Sequence, residues 1–255
     1  MTYRGAIYPD LEGKVVIVTG GGSGIGAAIT RAFARQKSRV GFIDIAEEPS
    51  TRLAKELTQE GAEVRFVHAD LTDIEALRRA IDEIRRMLGP VDILINNAAH
   101  DDRHTIEEMT PEYFDGRVAV NLRHQFFAAQ AVLPDMVRRN AGVIINFGSI
   151  SWMMKEPKLP IYTACKAAVL GLTRSLARAY GPHNIRVNAI APGWIMTERQ
   201  VEKWLTPEAE RELMAGQCLK RCLMPEEIAR FTVFLASEEA SACTAQHYVV
   251  DGGWS

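Results

Sequence analysis

Three side chains near the middle of the chain could together move a proton. Tyr162 and Lys166 are four residues apart, so on a helix they lie on one face, one turn from each other. Ser149 follows a short apolar run at 142–147 that is typical of a buried strand. Open parallel sheets bind ligands beyond the carboxyl ends of their strands. A hydroxyl at a strand end beside a tyrosine and a lysine indicates proton transfer to or from an alcohol.

Short β-branched runs alternate with helical stretches along the rest of the chain. The pattern predicts strands at 14–19, 39–44, 64–68, 91–96, 142–147, 185–190 and 246–250. It predicts helices at 27–36, 49–60, 73–88, 110–122, 122–139, 160–180 and 225–236. Such alternation requires βαβ crossovers, so we expect a single α/β domain over 1–255, a Rossmann-type doubly wound parallel sheet with helices on both faces. Residues 1–12 read as an arm, and the less regular stretch 193–224 as a substrate lid.

Composition excludes several classes of protein. The 255 residues are 47% hydrophobic and carry a net charge of −2 without a basic run, which argues against nucleic acid as a partner. We find neither a membrane span nor a signal peptide at the N-terminus. Four cysteines are too few for a disulfide framework, and none has a zinc-type spacing with His or Cys. We therefore expect a cytoplasmic protein without a metal, and a zinc-dependent alcohol dehydrogenase is excluded.

A glycine-rich turn follows the first predicted strand and opens the first helix. It reads Thr19-Gly20-x-x-x-Gly24-x-Gly26, which differs from the Gly-x-Gly-x-x-Gly dinucleotide fingerprint. Glycines at a helix N-terminus let free backbone N–H groups approach a pyrophosphate. We expect a dinucleotide cofactor here; the alternative is a tight turn that binds nothing.

Asp44 ends the second predicted strand, where a carboxylate can accept hydrogen bonds from the adenosine ribose. It would repel a 2′-phosphate, and no Arg or Lys occurs at 20–26 or 45–46 to offset that repulsion. NAD is therefore favoured over NADP, although Asp44 could be a solvated strand end. Asp70 ends the third strand and could contact the adenine, or N-cap the next turn instead.

Together these residues resemble the short-chain dehydrogenase/reductase family over essentially the whole chain. The resemblance rests on the glycine turn, Asn96-Asn-Ala-Ala99, Asn121, Ser149, Tyr162-x-x-x-Lys166 and Pro192-Gly193. It implies a catalytic set of Asn121, Ser149, Tyr162 and Lys166. It implies cofactor contacts from Gly20, Ser23, Gly24, Ile25, Gly26, Asp44, Ile45, Asp70, Leu71, Asn97, Tyr162, Lys166, Pro192, Gly193, Ile195 and Thr197. A homotetramer paired through the helices near 110–139 and 160–180 is implied as well.

Other segments are similar to bacterial aldose 1-dehydrogenases of the xylose type. They are Asp101-Asp-Arg-His104, Asn121-Leu-Arg-His124, Asn146–Trp152, Lys203–Pro207 and Gln217–Lys220. That subgroup oxidises the anomeric hydroxyl of a pentose or hexose to a lactone with NAD. Ala99 and Gly148 depart from the wider family's usual Gly and Ser, which bears on substrate detail. The substrate candidates are His100, Asp101, Ser149, Ser151, Trp152, Tyr162 and Trp194, with Asp102 and His104 as weaker ones. Each could instead be solvated loop, core or subunit contact.

The implied mechanism makes Tyr162 the general base. A free phenol has a pKa near 10, and lowering it by two to three units needs about 3–4 kcal/mol. We expect Lys166 and a positive nicotinamide ring to supply this, with Ser149 holding the reacting oxygen and Asn121 steadying Lys166 through water. Two rival hypotheses are a family member acting on a polyol, ketoacyl thioester or steroid, and a nucleotide-binding protein without turnover.

Overall fold

Seven parallel strands form the centre of the protein in a computed structural model that describes residues 5–255. They are β1 Val15–Thr19, β2 Arg39–Asp44, β3 Val64–His68, β4 Ile93–Asn96, β5 Gly142–Phe147, β6 Ile185–Pro192 and β7 His247–Val250. Their order is β3-β2-β1-β4-β5-β6-β7. The order reverses between β1 and β4, and this switch point is where doubly wound sheets bind ligands. The predicted fold class is confirmed.

Nine α-helices connect and flank the strands within the described residues. They are α1 Gly24–Arg35, α2 Glu47–Gln59, α3 Ile74–Leu88, α4 Pro111–Val118, α5 His124–Arg139, α6 Pro160–Tyr180, α7 Glu198–Trp204, α8 Pro207–Gly216 and α9 Pro225–Ala236. Helices α1, α2 and α9 pack on one face of the sheet, and α3, α5 and α6 on the other. The central strands are buried on both sides, which explains their unbroken apolar runs.

Three segments differ from the sequence-based expectations. The segment 193–224, whose role as a lid stays a prediction, contains two helices. Each is started by a threonine side chain: Thr197 accepts from Gln200 N and Thr206 from Ala209 N. The predicted arm is partly structured, because Pro9–Leu11 form a 3-10 helix and Leu11 is buried in the core. Residues 1–4 of that arm lie outside the described residues.

The two helices predicted near 110–139 are joined by a π-helical turn. Residues Ala119–Arg123 form it, so α4 and α5 run on without a break, and Asn121 lies inside the turn. A π-turn inserts one extra residue into a helix and is frequent at functional sites. This turn widens the helix where it packs against α6, which carries Tyr162 and Lys166.

Candidate active site

The glycine turn leaves no room for side chains. Gly20 and Gly24 have φ values of +64° and +52°, which favour glycine. A Cβ at Gly26 would overlap the carbonyl oxygen of Gly20. The Asn97 side chain donates to Thr19 O and Gly20 O at 3.1 and 2.9 Å, which ties the turn to the end of β4. The turn is thus a rigid concave surface of backbone groups.

Asp44 is held by the same turn. Its Oδ2 accepts a hydrogen bond from Gly22 N at 2.8 Å, and its Oδ1 accepts one from Ala46 N at 2.9 Å. Each oxygen retains a further lone pair toward the cleft, where ribose hydroxyls could donate. Asp70 accepts from Thr72 N and Oγ1 and so caps the turn after β3, as one of its two predicted roles required, while Asp73 caps α3. Its contact with the adenine stays a prediction.

A cleft of about 1020 Å³ runs along this end of the sheet. Its lining includes the predicted cofactor residues Gly20, Ser23, Gly24, Ile25, Gly26, Asp44, Ile45, Asp70, Leu71, Asn97 and Thr197. Pro192, Gly193 and Ile195 line a second cavity that shares Ile25, Asn97 and Thr197 with the first. The two cavities therefore adjoin, and the concave backbone and the Asp44 carboxylate fit an extended dinucleotide.

Ser149, Tyr162 and Lys166 meet in the second cavity, of about 460 Å³. Ser149 leaves β5 in an extended conformation and its Oγ accepts from Ser151 N at 3.1 Å. Lys166 is buried, lies 5.6 Å from the centre of the Tyr162 ring and donates to Phe147 O at 2.8 Å. The structure thus brings together the three groups with which the sequence argument began.

Burial dominates the pKa values of Tyr162 and Lys166. Burial raises the pKa of Tyr162, and the Asp101 carboxylate adds to this, against lowering by a hydrogen bond with Ser149. Burial also lowers the pKa of Lys166 to about 8. The expectation that Lys166 and a positive nicotinamide ring together lower the pKa of the phenol stays a prediction. Within the protein alone, desolvation of Tyr162 outweighs the lowering by the Ser149 hydrogen bond and by the charge of Arg199.

Behind Lys166 lies a buried polar network that the sequence argument missed. Gln125 Nε2 donates to Asn121 O and to Phe147 O, at 3.3 and 3.4 Å, and so shares an acceptor with Lys166. Asn96 bridges Gln125 O and the Asn146 side chain, which in turn donates to Thr173 at 3.0 Å. The sequence did hold a signal for this network, because Asn96 and Asn146 are amide side chains inside otherwise apolar strands. The network fixes the position of Lys166 through the Phe147 carbonyl.

Asn121 is buried, and its side chain is bound to backbone groups. Its Oδ1 accepts from His100 N at 2.9 Å, while its Nδ2 donates to His100 O and Arg117 O. These bonds join the π-turn to the loop after β4. The water-mediated role toward Lys166 stays a proposal.

Of the predicted substrate residues, Asp101, Ser149, Ser151, Tyr162 and Trp194 line the catalytic cavity. Trp194 Nε1 donates to Gln200 Oε1 at 2.8 Å, and Gln200 Nε2 donates to Asp101 Oδ2 at 2.6 Å. Arg199 pairs with Asp102 and Asp101 at 2.5 and 3.3 Å. Helix α7 is thereby fastened to the loop after β4, over the junction of the two cavities.

The structure does not bring every candidate to that cavity. Trp152 lies outside its lining and packs against His247, with ring centres 6.2 Å apart, because the 3-10 turn after Ser149 carries it away. His104 is buried and anchors the start of α6, donating to Asp102 O and accepting from Ile161 N. His100 lines the cofactor cleft, between Arg117 and Asp102.

Several cavity residues had no place in the sequence argument. They are Arg103, Gln200, Glu212 and Trp254, from segments far apart in the chain. Trp254 lies on the C-terminal turn, and Arg103 stacks on Trp204 of α7, 4.4 Å from the ring centre. Gly252-Gly253 was a signal that the chain turns sharply before Trp254.

Comparisons with known proteins agree with this geometry. The family model described as enoyl-(acyl carrier protein) reductase matches residues 20–255. The chain is 49% identical to the probable galactose dehydrogenase GalD of Rhizobium meliloti, over 99% of each chain. It is also 49% identical to D-xylose 1-dehydrogenase of Caulobacter vibrioides, over 98% of each.

The fold also matches a solved structure with a nicotinamide cofactor. A blue fluorescent protein from a metagenomic library, in complex with NADPH, has a TM-score of 0.88 and 32% identity, covering 96% of this chain and 99% of that one. The chain belongs to the short-chain dehydrogenase/reductase family. It is a nicotinamide-dependent oxidoreductase, and the residues of the glycine turn and the catalytic cavity fit that cofactor.

Proposed function

We propose that the protein oxidises the C1 hydroxyl of an aldose, a pentose or hexose, with NAD and releases the sugar lactone. The observation that carries this is the lining of the catalytic cavity, which combines Ser149 and Tyr162 with the polar side chains of Asp101 and Gln200 and with the rings of Trp194 and Trp254. Polar groups around a flat apolar wall suit a sugar ring. Relatives named as galactose and xylose dehydrogenases support the same substrate class.

Each of the four catalytic side chains has a separate task in the proposed reaction. Ser149 Oγ donates to the C1 oxygen and holds it beside Tyr162, whose phenolate takes the hydroxyl proton as hydride leaves C1. Bound NAD supplies the hydride acceptor and a positive charge that favours the phenolate. Lys166, fixed by Phe147 O, grips the ribose, and Asn121 links it to water. The products balance as lactone, reduced cofactor and one proton.

The proposed preference for NAD rests on Asp44. Asp44 lines the cleft, and its two oxygens accept from Gly22 N and Ala46 N, so a 2′-phosphate placed there would meet a carboxylate. No Arg or Lys at 20–26 or 45–46 compensates. The neighbour in complex with NADPH shows that a similar fold can bind the phosphorylated cofactor, so the preference proposed for this chain depends on Asp44 and not on the fold.

Initial rates with a panel of xylose, arabinose, galactose, glucose, fucose and rhamnose, each with NAD and then NADP, test both statements. We expect turnover of at least one aldose, with NAD preferred at least tenfold in kcat/KM. Turnover only of a polyol, steroid or ketoacyl thioester would replace the substrate assignment. Activity only with NADP would overturn the role of Asp44.

A homotetramer in the cytoplasm is also proposed. An apolar groove of about 410 Å³ between α5 and α6 supports pairing through these helices. Its lining includes Phe126, Leu133, Val137, Leu176 and Tyr180.

The cytoplasmic location is supported by the cysteines, since all four are unpaired, in keeping with a reducing compartment. Within residues 5–255 no helix has the length and apolar character to cross a membrane. Light scattering on the purified enzyme tests the tetramer, and a monomer at micromolar concentration would contradict it.

A further inference from the structure

Two tryptophans from distant parts of the chain stack on each other and both line the catalytic cavity. Trp194 follows β6 at the start of the lid, and Trp254 lies on the C-terminal turn. Their ring centres are 6.4 Å apart and their planes differ by only 24°. Both are half-buried and both line the cavity that holds Ser149 and Tyr162. We call this pair the tryptophan wall.

The orientation of Trp194 is set by its polar edge. Its indole N–H donates to Gln200, which donates onward to Asp101. The hydrogen-bonding edge is therefore satisfied within the protein, and the apolar face remains for the cavity. The same bonds tie Trp194 to α7 and to the loop after β4.

Trp254 is held from two directions. The Asp251 carboxylate accepts from the backbone of Gly253, Trp254 and Ser255, at 2.8, 3.1 and 2.7 Å, which fixes the C-terminal turn. On the other side the indole lies directly against Gly216, the last residue of α8, where a Cβ would overlap the indole nitrogen.

The lid and this turn are also joined through backbone groups. Cys218 N and Leu219 N donate to Gly253 O and Gly252 O, at 3.1 and 2.9 Å. Few alternative positions are open to the Trp254 ring.

Polar groups lie around this flat apolar surface. Asp101, Gln200, Ser149 and Tyr162 line the same cavity. Ser151 lines it too, and its buried hydroxyl has no hydrogen-bond partner within residues 5–255. A hydrogen bond from a ligand hydroxyl would remove the cost of leaving this group buried and unpaired. A ring with C–H groups on one face and hydroxyls at its edge satisfies both surfaces.

Building on the proposed function, we propose that the tryptophan wall, and Trp254 in particular, makes the site specific for the cyclic form of a sugar. A pyranose ring presents a flat C–H surface to the two indoles while its hydroxyls reach Ser151, Asp101 and Gln200. A linear polyol with the same hydroxyls cannot cover that surface without ordering its whole chain, which costs conformational entropy.

Replacing Trp254 with alanine tests the proposal. The W254A enzyme should show a KM for its aldose raised at least tenfold, about 1.4 kcal/mol, with kcat changed less than KM. The KM for NAD should stay within twofold, because Trp254 lies outside the cofactor cleft. W254F should recover part of the loss. An aldose KM in W254A within twofold of wild type would overturn the proposal.

A second variant reaches the same ring without removing it. G216A places a methyl group against the Trp254 indole, and we expect it to raise the aldose KM in the same direction. W152F is the matched control, since Trp152 packs against His247 outside the cavity. An equal rise in KM with W152F would show that loss of any tryptophan in this half of the protein disturbs the site, and would also overturn the proposal.

Binding without turnover separates this inference from the proposed function. Calorimetry of an aldose with NAD-saturated Y162F enzyme measures binding alone, and W254A added to that variant should weaken it at least tenfold. If wild type turns over no aldose but this binding depends on Trp254, the proposed function fails and the tryptophan wall stands. If aldose is turned over but binding ignores Trp254, or if no aldose binds at all, the wall fails.

Discussion

The cofactor cleft and the catalytic cavity adjoin but are built in different ways. The cleft is built around one short turn of backbone, which Asn97 and Asp44 fix, and residues from 69–72, 115–123 and 197–202 line the rest of it. The cavity is made of side chains from four separate segments, near residues 101, 149–162, 194–212 and 254. Half-exposed ion pairs and stacked rings hold those segments together. We therefore expect the glycine turn of the cofactor cleft to tolerate almost no added volume. Side chains of the catalytic cavity can be replaced, and substrate preference altered, without disturbing the cleft.

The largest effect is expected where the two regions meet. Y162F removes the proton acceptor while keeping the ring, so kcat should fall at least about 1,000-fold, with the dissociation constant for NAD within about twofold of wild type. Stopped-flow rates and fluorescence titration with cofactor measure the two quantities. Y180F, on the same helix, is the control and should keep full activity. If Y162F kept more than a tenth of the wild-type kcat, Tyr162 would not be the general base.

A glycine replacement tests how rigid the cleft is. G26A puts a Cβ onto the Gly20 carbonyl oxygen, so the turn must distort, and we expect the KM for NAD to rise at least about tenfold, or 1.4 kcal/mol. G171A on α6, where a Cβ meets open space, should bind NAD normally and gain up to about 1 kcal/mol of stability. Normal NAD affinity in G26A would mean that the turn is more adaptable than its geometry indicates.

The contrast explains what the sequence could predict. All seven strands and the glycine turn follow from local patterns, and Ser149, Tyr162 and Lys166 from spacing that the fold preserves. The caps Thr197 and Thr206-Pro207 were local signals for the lid helices and were missed. Trp254, Gln200 and Arg103 could not be predicted, since only the folded lid brings them to Ser149. Trp152 was misplaced because a single 3-10 turn decides its direction.

Beneath both regions lies His124, next to the π-turn, fully buried with neither ring nitrogen hydrogen-bonded within the described residues. Burial, helped by the charge on Lys166, lowers its pKa to about 3. The unfolded chain takes up this proton near pH 6.5 and the native protein does not. The contribution of neutral, buried His124 to the free energy of unfolding is therefore fully present above pH 6.5 and is lost as the pH falls toward 3.

Replacing His124 should reduce this dependence on pH. In H124Q, the slope of unfolding free energy below pH 6.5 should fall by up to about 1.4 kcal/mol per pH unit, as measured by urea denaturation. H68Q removes an exposed histidine and should keep the wild-type slope. An unchanged slope in H124Q would show that the native protein can protonate His124, and hence that water or a proton reaches this buried side chain.

The smallest effect is expected at the fastening between α7 and the loop after β4. R199A removes the pairs with Asp101 and Asp102, whose side chains are 27–43% exposed. Such pairs contribute up to about 1 kcal/mol, so the aldose KM should rise about two- to fivefold, with the KM for NAD changed less. R211A breaks a lid ion pair with Glu208 away from the cavity and serves as control. Arg199 itself lines the cofactor cleft, so a larger loss for NAD than for sugar would show that it acts on the cofactor and not on the substrate through Asp101.

The bonds between the lid and the C-terminal turn also make the protein suitable as a sensor. Cys218 donates its backbone N–H to Gly253 beside Trp254, and its thiol is exposed while Cys165 is buried. A fluorophore could be attached at Cys218 after Cys222 and Cys243 are replaced with serine. It would lie beside the backbone bond to Gly253, next to the Trp254 ring that a bound sugar contacts. Its emission would then report sugar concentration directly, without consuming cofactor.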